Sequence, residues 1–250
     1  MLYKSKTLQG YKLDSLNGVI GKAQEFYFDD QYWVIRYLVA DSGNWLTGRR
    51  VLLSPYALVA VDKEKQHIIV NLTKKQIEDS PSLESDKPVS RQFEEAYYGY
   101  YDWPMYWGGQ NMWGNYPDIV RGREKWREYS KDEKPWDPHL RSTHTVAGYN
   151  IQSTDGEIGH VEDFIVDDQN WAIRYLIINT QNWWPGKRVL IATKWIEKVD
   201  WSELKIVVNL SRELIKQSPE FTDESLLSRD YEAGLHGHYS RQGYWIDEHF

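Results

Sequence analysis

The feature that most constrains this chain is an internal repeat with a fixed spacing of 138 residues. The matches include Gly10-Tyr11 with Gly148-Tyr149, Asp29-Asp30-Gln31 with Asp167-Asp168-Gln169, Ile35-Arg36-Tyr37-Leu38 with Ile173-Arg174-Tyr175-Leu176, and Arg50-Val51-Leu52 with Arg188-Val189-Leu190. We count about 40 identities over about 100 gap-free positions, a level at which two segments share one fold. The sequence therefore predicts a duplicated domain.

Turn residues and residue alternation predict that each repeat is built mainly of short strands. Asn17-Gly18 and Asp155-Gly156 are typical of hairpin turns, because Asn, Asp and Gly tolerate the positive φ that such turns require. A longer strand is expected over residues 19–28, followed after Asp29-Asp30-Gln31 by a β-branched and aromatic strand from Trp33 to Val39. Apolar side chains on both faces of that strand indicate that it is covered on both sides. Further strands are expected at Arg49–Leu53, Leu58–Asp62 and His67–Asn71.

Two short helices should follow the strands of each repeat. Thr73 and Gln76 fit a capping box for a helix ending near Ser80. A second helix is expected to begin after Ser90 in the first repeat and after Ser228 in the second. The predicted fold is mainly β, with two small six-stranded barrels in tandem, each followed by short helices. The predicted boundaries are residues 1–101 for the first unit, 102–142 for a connecting arm and 143–250 for the second unit.

The order of motifs resembles the PRC-barrel family. The pattern comprises Gly18, Ile20, Gly21, Phe26, Asp29, Asp30, Arg36 to Leu38 and Arg50 to Leu52, and it occurs twice. The resemblance covers residues of about 5–80 and 143–218. Members of the family include the cytoplasmic domain of the photosynthetic reaction-centre H subunit and the C-terminal domain of a ribosome maturation factor. The resemblance implies a small barrel that packs against other proteins and has no catalytic apparatus of its own.

Composition narrows the classes of partner and compartment. The chain has no cysteine, which excludes disulfide scaffolds, thiolate metal sites and cysteine nucleophiles. A net charge of −7 would repel a phosphate backbone, so we expect no nucleic-acid partner. No stretch approaches the roughly 18 consecutive apolar residues of a membrane span, and the first residues lack the apolar core of a signal peptide. We therefore predict a cytoplasmic protein without an integral membrane segment.

No known catalytic motif occurs in the sequence, so we predict a protein that is not an enzyme and that holds no cofactor or metal. The acids of Asp29-Asp30 and Asp167-Asp168 are expected to form turns rather than a cation site. His236 and His238 stand two residues apart, on different faces of a helix, and the first repeat has Tyr98 and Tyr100 there. This substitution favours packing over metal binding.

Two arginines stand within strands whose neighbours are apolar. Arg36 and Arg174 each need a partner if they are buried, and Glu25 or Asp163 on the preceding strand lies within reach. A structural ion pair is the favoured interpretation, and an anion-binding site is the alternative.

An aromatic arm follows the first repeat, and we take Trp103, Tyr106, Trp107, Trp113 and Trp126 as candidate binding residues. Interspersed glycines and prolines predict that much of the arm is irregular. Its rings could form a protein interface or a sugar-stacking surface, since Trp and Tyr offer flat apolar faces. Alternatively the arm packs against its own chain, or is exchanged between two chains in a dimer.

The sequence thus favours a non-catalytic interaction or scaffolding protein with an unknown protein partner and a possible homo-oligomer. The alternatives are a small-ligand or carbohydrate binder that uses the aromatic arm, an enzyme acting between the two repeats, and a reaction-centre-associated electron-transfer accessory protein.

Overall fold

The computed structural model describes residues 1–43, 46, 49–84, 89–106, 140–180, 187–222 and 227–247. These residues form a mainly β structure with two mixed sheets and several short helices. The sheets have seven and eight strands, so each exceeds the six strands predicted per repeat. The mainly β prediction is confirmed, and the strand count was wrong.

The described elements follow the same order in both repeats. In the first repeat they are β1 (Leu2–Lys4), α1 (Ser5–Leu8), β2 (Lys12–Ser15), β3 (Gly18–Asp29), β4 (Val34–Asp41), β5 (Arg49–Leu53), β6 (Leu58–Asp62), β7 (His67–Val70), α2 (Lys74–Glu78), β8 (Leu83–Glu84) and α3 (Arg91–Tyr101). In the second they are β9 (Leu140–Ser142), α4 (Thr143–Val146), β10 (Asn150–Ser153), β11 (Gly156–Asp167), β12 (Ile173–Asn179), β13 (Arg188–Ala192), β14 (Ile196–Asp200), β15 (Lys205–Val208), α5 (Arg212–Lys216), α6 (Arg229–His238) and α7 (Tyr244–Asp247).

The chain divides into two compact units, each completed by the first strand of the other repeat. The N-terminal unit contains residues 9–32 and 36–141, and the C-terminal unit contains residues 1–8, 33–35 and 142–250. Within the C-terminal unit, β1 pairs antiparallel with β11, with Leu2 opposite Asp167. Within the N-terminal unit, β9 pairs with β3. The sequence gave no sign of this exchange, because these three-residue strands carry no turn signal of their own.

Both units share one strand order. The sheet of the N-terminal unit runs β6-β7-β2-β3-β4-β5-β8, and that of the C-terminal unit runs β13-β12-β11-β10-β15-β14. The pairs β2/β7 and β10/β15 are parallel, which makes both sheets mixed. The hairpin turns predicted at Asn17-Gly18 and Asp155-Gly156 are confirmed, since β2 pairs with β3 and β10 pairs with β11 across them.

The second glycine of the repeated motif is required by a close backbone contact. Gly21 has φ of +137°, and a Cβ there would lie 2.0 Å from the carbonyl oxygen of Asp41. Gly159 has φ of +150°, and its Cβ would lie 2.1 Å from the carbonyl oxygen of Asn179. Any side chain would collide with backbone, so only glycine fits at either position.

The strand predicted from Trp33 begins one residue later, at Val34. Trp33 and its counterpart Trp171 adopt left-handed conformations with φ of 57° and 58°, which ends the turn rather than starting the strand. Both faces of β4 are buried, as the apolar alternation predicted.

Helix starts agree with the capping residues that the sequence indicated. Thr73 and Gln76 form a capping box at the start of α2. Ser90 and Ser228 accept backbone hydrogen bonds at the starts of α3 and α6. Among the helices of the described ranges, none is long and apolar enough to cross a membrane.

Candidate functional site

A buried polar cluster joins sheet and helix in the N-terminal unit. Arg36 is fully buried, and its Nη2 lies 3.2 Å from Oδ2 of Asp29, at the end of the preceding strand. The ring of Tyr106 lies 3.9 Å from the guanidinium carbon of Arg36. The Tyr106 hydroxyl donates to Oε1 of Glu94 at 2.6 Å, and that of Tyr37 donates to the same oxygen at 3.1 Å. The cluster therefore fixes α3 and the residue five positions beyond it against β3 and β4.

The C-terminal unit repeats this cluster. Arg174 donates to Oδ2 of Asp167 at 3.2 Å from Nε and at 3.0 Å from Nη2. The ring of Tyr244 again lies 3.9 Å from the guanidinium carbon. Glu232 accepts from the hydroxyls of Tyr175 at 2.9 Å and Tyr244 at 2.8 Å. All five members are identical in the two repeats, a signal that a search for shared polar residues would have found.

Burial keeps the tyrosine hydroxyls of both clusters protonated. It raises the pKa of Tyr37 well above the ordinary value, and the charge of Glu94 raises it further. The pKa of Tyr175 is raised in the same way by burial and by Glu232. A protonated hydroxyl can donate to the buried carboxylate, which is the hydrogen bond that the geometry shows.

The two clusters differ at one neighbouring position. In the C-terminal unit His236 is buried, with Nε2 3.0 Å from the Tyr175 hydroxyl and Nδ1 2.9 Å from the carbonyl oxygen of Gln242. Its counterpart Tyr98 instead contacts the Ser54 hydroxyl at 3.1 Å. Burial lowers the pKa of His236, and the positive charges of Lys194 and Arg229 act in the same direction. His236 is thus a packed core residue.

The acids that we predicted as arginine partners occupy other positions. Asp163 is buried and accepts hydrogen bonds from the Ser5 hydroxyl at 2.5 Å and from the Lys6 amide at 3.2 Å. It thereby holds the exchanged segment of residues 1–8 in the C-terminal unit, although burial raises its pKa. Glu25 accepts from the Tyr27 hydroxyl at 3.4 Å. The carboxylates seen against Arg36 and Arg174 are Asp29 and Asp167, which sequence reasoning had assigned only to turns.

The residues predicted for the aromatic arm divide into two groups. Tyr106 is buried in the cluster, and the ring of Trp103 stacks on Tyr101 at 4.3 Å and on Tyr56 at 5.9 Å. Both rings therefore pack within their own unit. Trp107, Trp113 and Trp126 lie outside the described residues.

One face of the N-terminal sheet exposes apolar side chains. Ala60, Ile69, Asp14 and Val19 are successive neighbours across β6, β7, β2 and β3. Val59 and Leu16 stand beside this row, each 64% exposed, and Val19 is 46% exposed. We call Leu16, Val19, Val59, Ala60 and Ile69 the apolar face. Contiguous exposed apolar residues are typical of interaction surfaces, whereas scattered ones are not.

The same face of the C-terminal unit is polar. Lys198, Val207, Gln152 and Glu157 form the corresponding row across β14, β15, β10 and β11. The positions of Leu16 and Val59 are taken by Thr154 and Glu197. One fold therefore carries an apolar face in one unit and a charged face in the other.

A cavity of about 390 Å³ lies in the C-terminal unit beside α5. Its lining comprises Asp155, Ile158, Thr180, Lys187, Arg212, Glu213, Ile215 and Lys216. Lys187 donates to the carbonyl oxygen of Lys216, and Lys216 lies 3.9 Å from Glu213. The cavity has an apolar floor and one more cation than acid, a composition that suits a small anion.

No group of three or more histidine and acidic side chains comes together within the described ranges in a way that would hold a metal ion. Asp29 and Asp30 have separate roles, since Asp29 accepts from the amides of Gln31 and Tyr32 while Asp30 pairs with Arg141. The geometry of the acids is thus that of turns and ion pairs.

A model of the PRC-barrel domain matches residues 139–215, from the start of β9 into α5. The matched stretch lies in the second repeat and contains Gly159, Asp167 and Arg174. No curated protein matches the chain.

Proposed function

We propose that this chain is a non-catalytic interaction or scaffolding protein built from two PRC-barrel modules, which binds a protein partner through the apolar face of its N-terminal unit. The first repeat is taken as the second module because it shares strand order, buried cluster and motif glycines with the matched repeat. Closure of each sheet into a barrel is part of this proposal.

The observation that carries the proposal is the contrast between the two equivalent sheet faces. A common fold explains every buried identity, but it does not require Val19 and Val59 where the other repeat has Glu157 and Glu197. Water disfavours exposed aliphatic side chains by about 25 cal/mol per Å² relative to burial, so a partner that covers this face gains that free energy. The charged face of the C-terminal unit offers no such gain.

The buried clusters support a role without catalysis. Their arginine, carboxylate and tyrosine groups contact one another inside each unit and are closed to solvent. Catalytic groups need access to a substrate. These residues instead rigidify the modules that carry the face.

Site-specific photocrosslinking in the native cells tests the proposal. A photoreactive benzoylphenylalanine replaces Val19 in one variant and Glu157, its counterpart, in the other. We expect a discrete crosslinked adduct from position 19, abolished by the added Leu16→Thr substitution, and none from position 157. Equal adducts from both positions, or none from position 19, would contradict the proposal.

A second candidate is a small-ligand binder, which the cavity beside α5 favours over the aromatic arm. Binding of an anion by Lys187 and Arg212 would stabilise the unit by mass action. The test is a titration with inorganic phosphate followed by amide chemical shifts. Saturable shifts at Thr180 and Arg212 that vanish in Lys187→Gln would support it, and uniform shifts that persist in that variant would refute it.

A further inference from the structure

Strand β6 is an edge strand that lacks the charges guarding its counterpart. Among the described strands β6 pairs only with β7, and β14 pairs only with β15. Edge strands expose unpaired backbone groups, and proteins protect them with charged residues, especially lysine. Strand β14 carries Glu197 and Lys198, both exposed, whereas β6 carries Val59 and Ala60 at those positions.

The charge pattern of β6 also permits it to pair with itself. An antiparallel pairing of two copies centred on Ala60 places Leu58 opposite Asp62, Val59 opposite Val61, and Ala60 opposite its own copy. Beyond the strand, Lys63 meets Ala57, Glu64 meets Tyr56 and Lys65 meets Pro55. No charge faces a charge of the same sign, so no repulsion opposes the pairing.

The same pairing is forbidden at β14. Centring two copies of that strand on Lys198 places two ammonium groups directly opposite each other, which destabilises a strand pair. The two repeats therefore differ at the one position where self-pairing is decided.

The surroundings of β6 are close to neutral, although the chain as a whole carries −7. The adjacent row on the same face runs Asp62, His67, Lys12 and Lys22. With Asp14 and the turn residues Lys63, Glu64 and Lys65, four lysines stand against three acids. Two copies can thus approach at this edge without the repulsion expected from their net charge.

We infer that the chain self-associates through antiparallel pairing of β6 with β6 of a second copy, forming a two-fold dimer with residue 60 at its centre. The inference rests on the proposed function, since it names a second copy as a partner of the same sheet. Val59 of each copy is then covered by the other.

Disulfide trapping on the full chain tests the pairing directly, because the chain has no cysteine. Directly opposite residues of an antiparallel pair have Cα atoms about 4.5–5.5 Å apart, within the range of a disulfide. We expect A60C to form a covalent dimer under mild oxidation at micromolar concentration. The matched variant K198C should remain monomeric. Equal trapping of both variants, or none of A60C, would overturn the inference.

Sedimentation equilibrium supplies the second arm. The unmodified chain should show a concentration-dependent rise from 29.7 kDa towards twice that mass. The variant V59E/A60K, which carries the residues that β14 already has in the same fold, should stay monomeric with an unchanged circular dichroism spectrum. A dimer that persists in V59E/A60K would overturn the inference, as would a monomer at every concentration.

The variant L16T/V19E separates this inference from the proposed function. These residues lie on the apolar face but away from β6, so the dimer should persist while crosslinking to a partner at position 19 is lost. If L16T/V19E instead abolishes the dimer, copies associate by the face and the edge pairing is wrong. A monomeric chain that still crosslinks a partner at position 19 would refute the edge pairing alone.

Discussion

Replacing Arg36 by methionine tests whether the buried cluster holds the N-terminal unit together. Arg36 is fully buried and pairs with Asp29, so Arg36→Met leaves a carboxylate in the interior without that cation. Breaking a buried ion pair by removing one partner costs about 3–5 kcal/mol. Loss of the cation–π contact with Tyr106 adds up to about 2 kcal/mol. We expect the free energy of unfolding of this unit to fall by about 5 kcal/mol.

A second substitution should restore most of this stability. Asp29→Asn keeps the oxygen that accepts from the amides of Gln31 and Tyr32 at 2.9 and 3.1 Å, but it removes the buried charge. Replacing both members of a buried pair by neutral groups is often close to neutral in stability. The double variant Asp29→Asn with Arg36→Met should therefore be more stable than Arg36→Met by about 3 kcal/mol.

Urea unfolding of the full chain, with hydrogen exchange to assign each transition to a unit, measures both values. The equivalent pair Arg174→Met and Asp167→Asn is the matched control, because its side chains are 9% and 10% exposed and should show a smaller coupling. A double variant that loses the sum of the two single effects would refute the ion-pair reasoning.

Three further substitutions test other parts of the structure. Gly159→Ala places a Cβ 2.1 Å from the Asn179 carbonyl and should lower the free energy of unfolding by more than about 2 kcal/mol, whereas Gly234→Ala, in open space on α6, should raise it by up to about 1 kcal/mol; equal melting temperatures would contradict this. The folded pKa of His236 lies below its value of 6.5 in the unfolded chain, so its contribution to stability is present above pH 6.5 and is lost as the pH falls below it. His236→Gln should flatten this acid-side loss in thermal melts and exposed His144→Gln should not; an unchanged slope in the former would refute the assignment. Ser5→Ala removes a donor to buried Asp163 at 2.5 Å and should cost about 1–2 kcal/mol, seen as faster amide exchange in β1, while Lys6→Ala keeps its amide and should leave exchange unchanged; similar exchange in both would argue against the Ser5 clamp.

Local signals in the sequence were sufficient for the elements whose causes are local. The turns at Asn17-Gly18 and Asp155-Gly156 and the cap at Thr73 depend on residues within four positions of one another, and the structure contains all three. The two-sided burial of β4 followed from its apolar alternation for the same reason. A repeated sequence also predicted the repeated strand order.

Features that depend on distant partners could not be predicted in this way. Strands β1 and β9 stand at equivalent positions of similar repeats, so hydrophobic pattern alone fits either long strand as partner. The arginine partners were missed because Asp29 and Asp167 carry an obvious turn signal that conceals their second oxygen. The apolar face became visible only when the cross-strand register placed Val19, Ile69 and Ala60 in one row.

The asymmetry between the two repeats has a consequence for assembly under the proposed pairing. An isologous contact through one edge closes after two chains, because each chain has then used its self-complementary strand. If β14 were also unguarded, each chain would offer two such edges and pairing would continue into an open polymer. Glu197 and Lys198 thus limit association to a dimer, and E197V/K198A should sediment as species larger than two chains. Strict dimers of that variant would show that β14 is closed to pairing for a reason other than its charges.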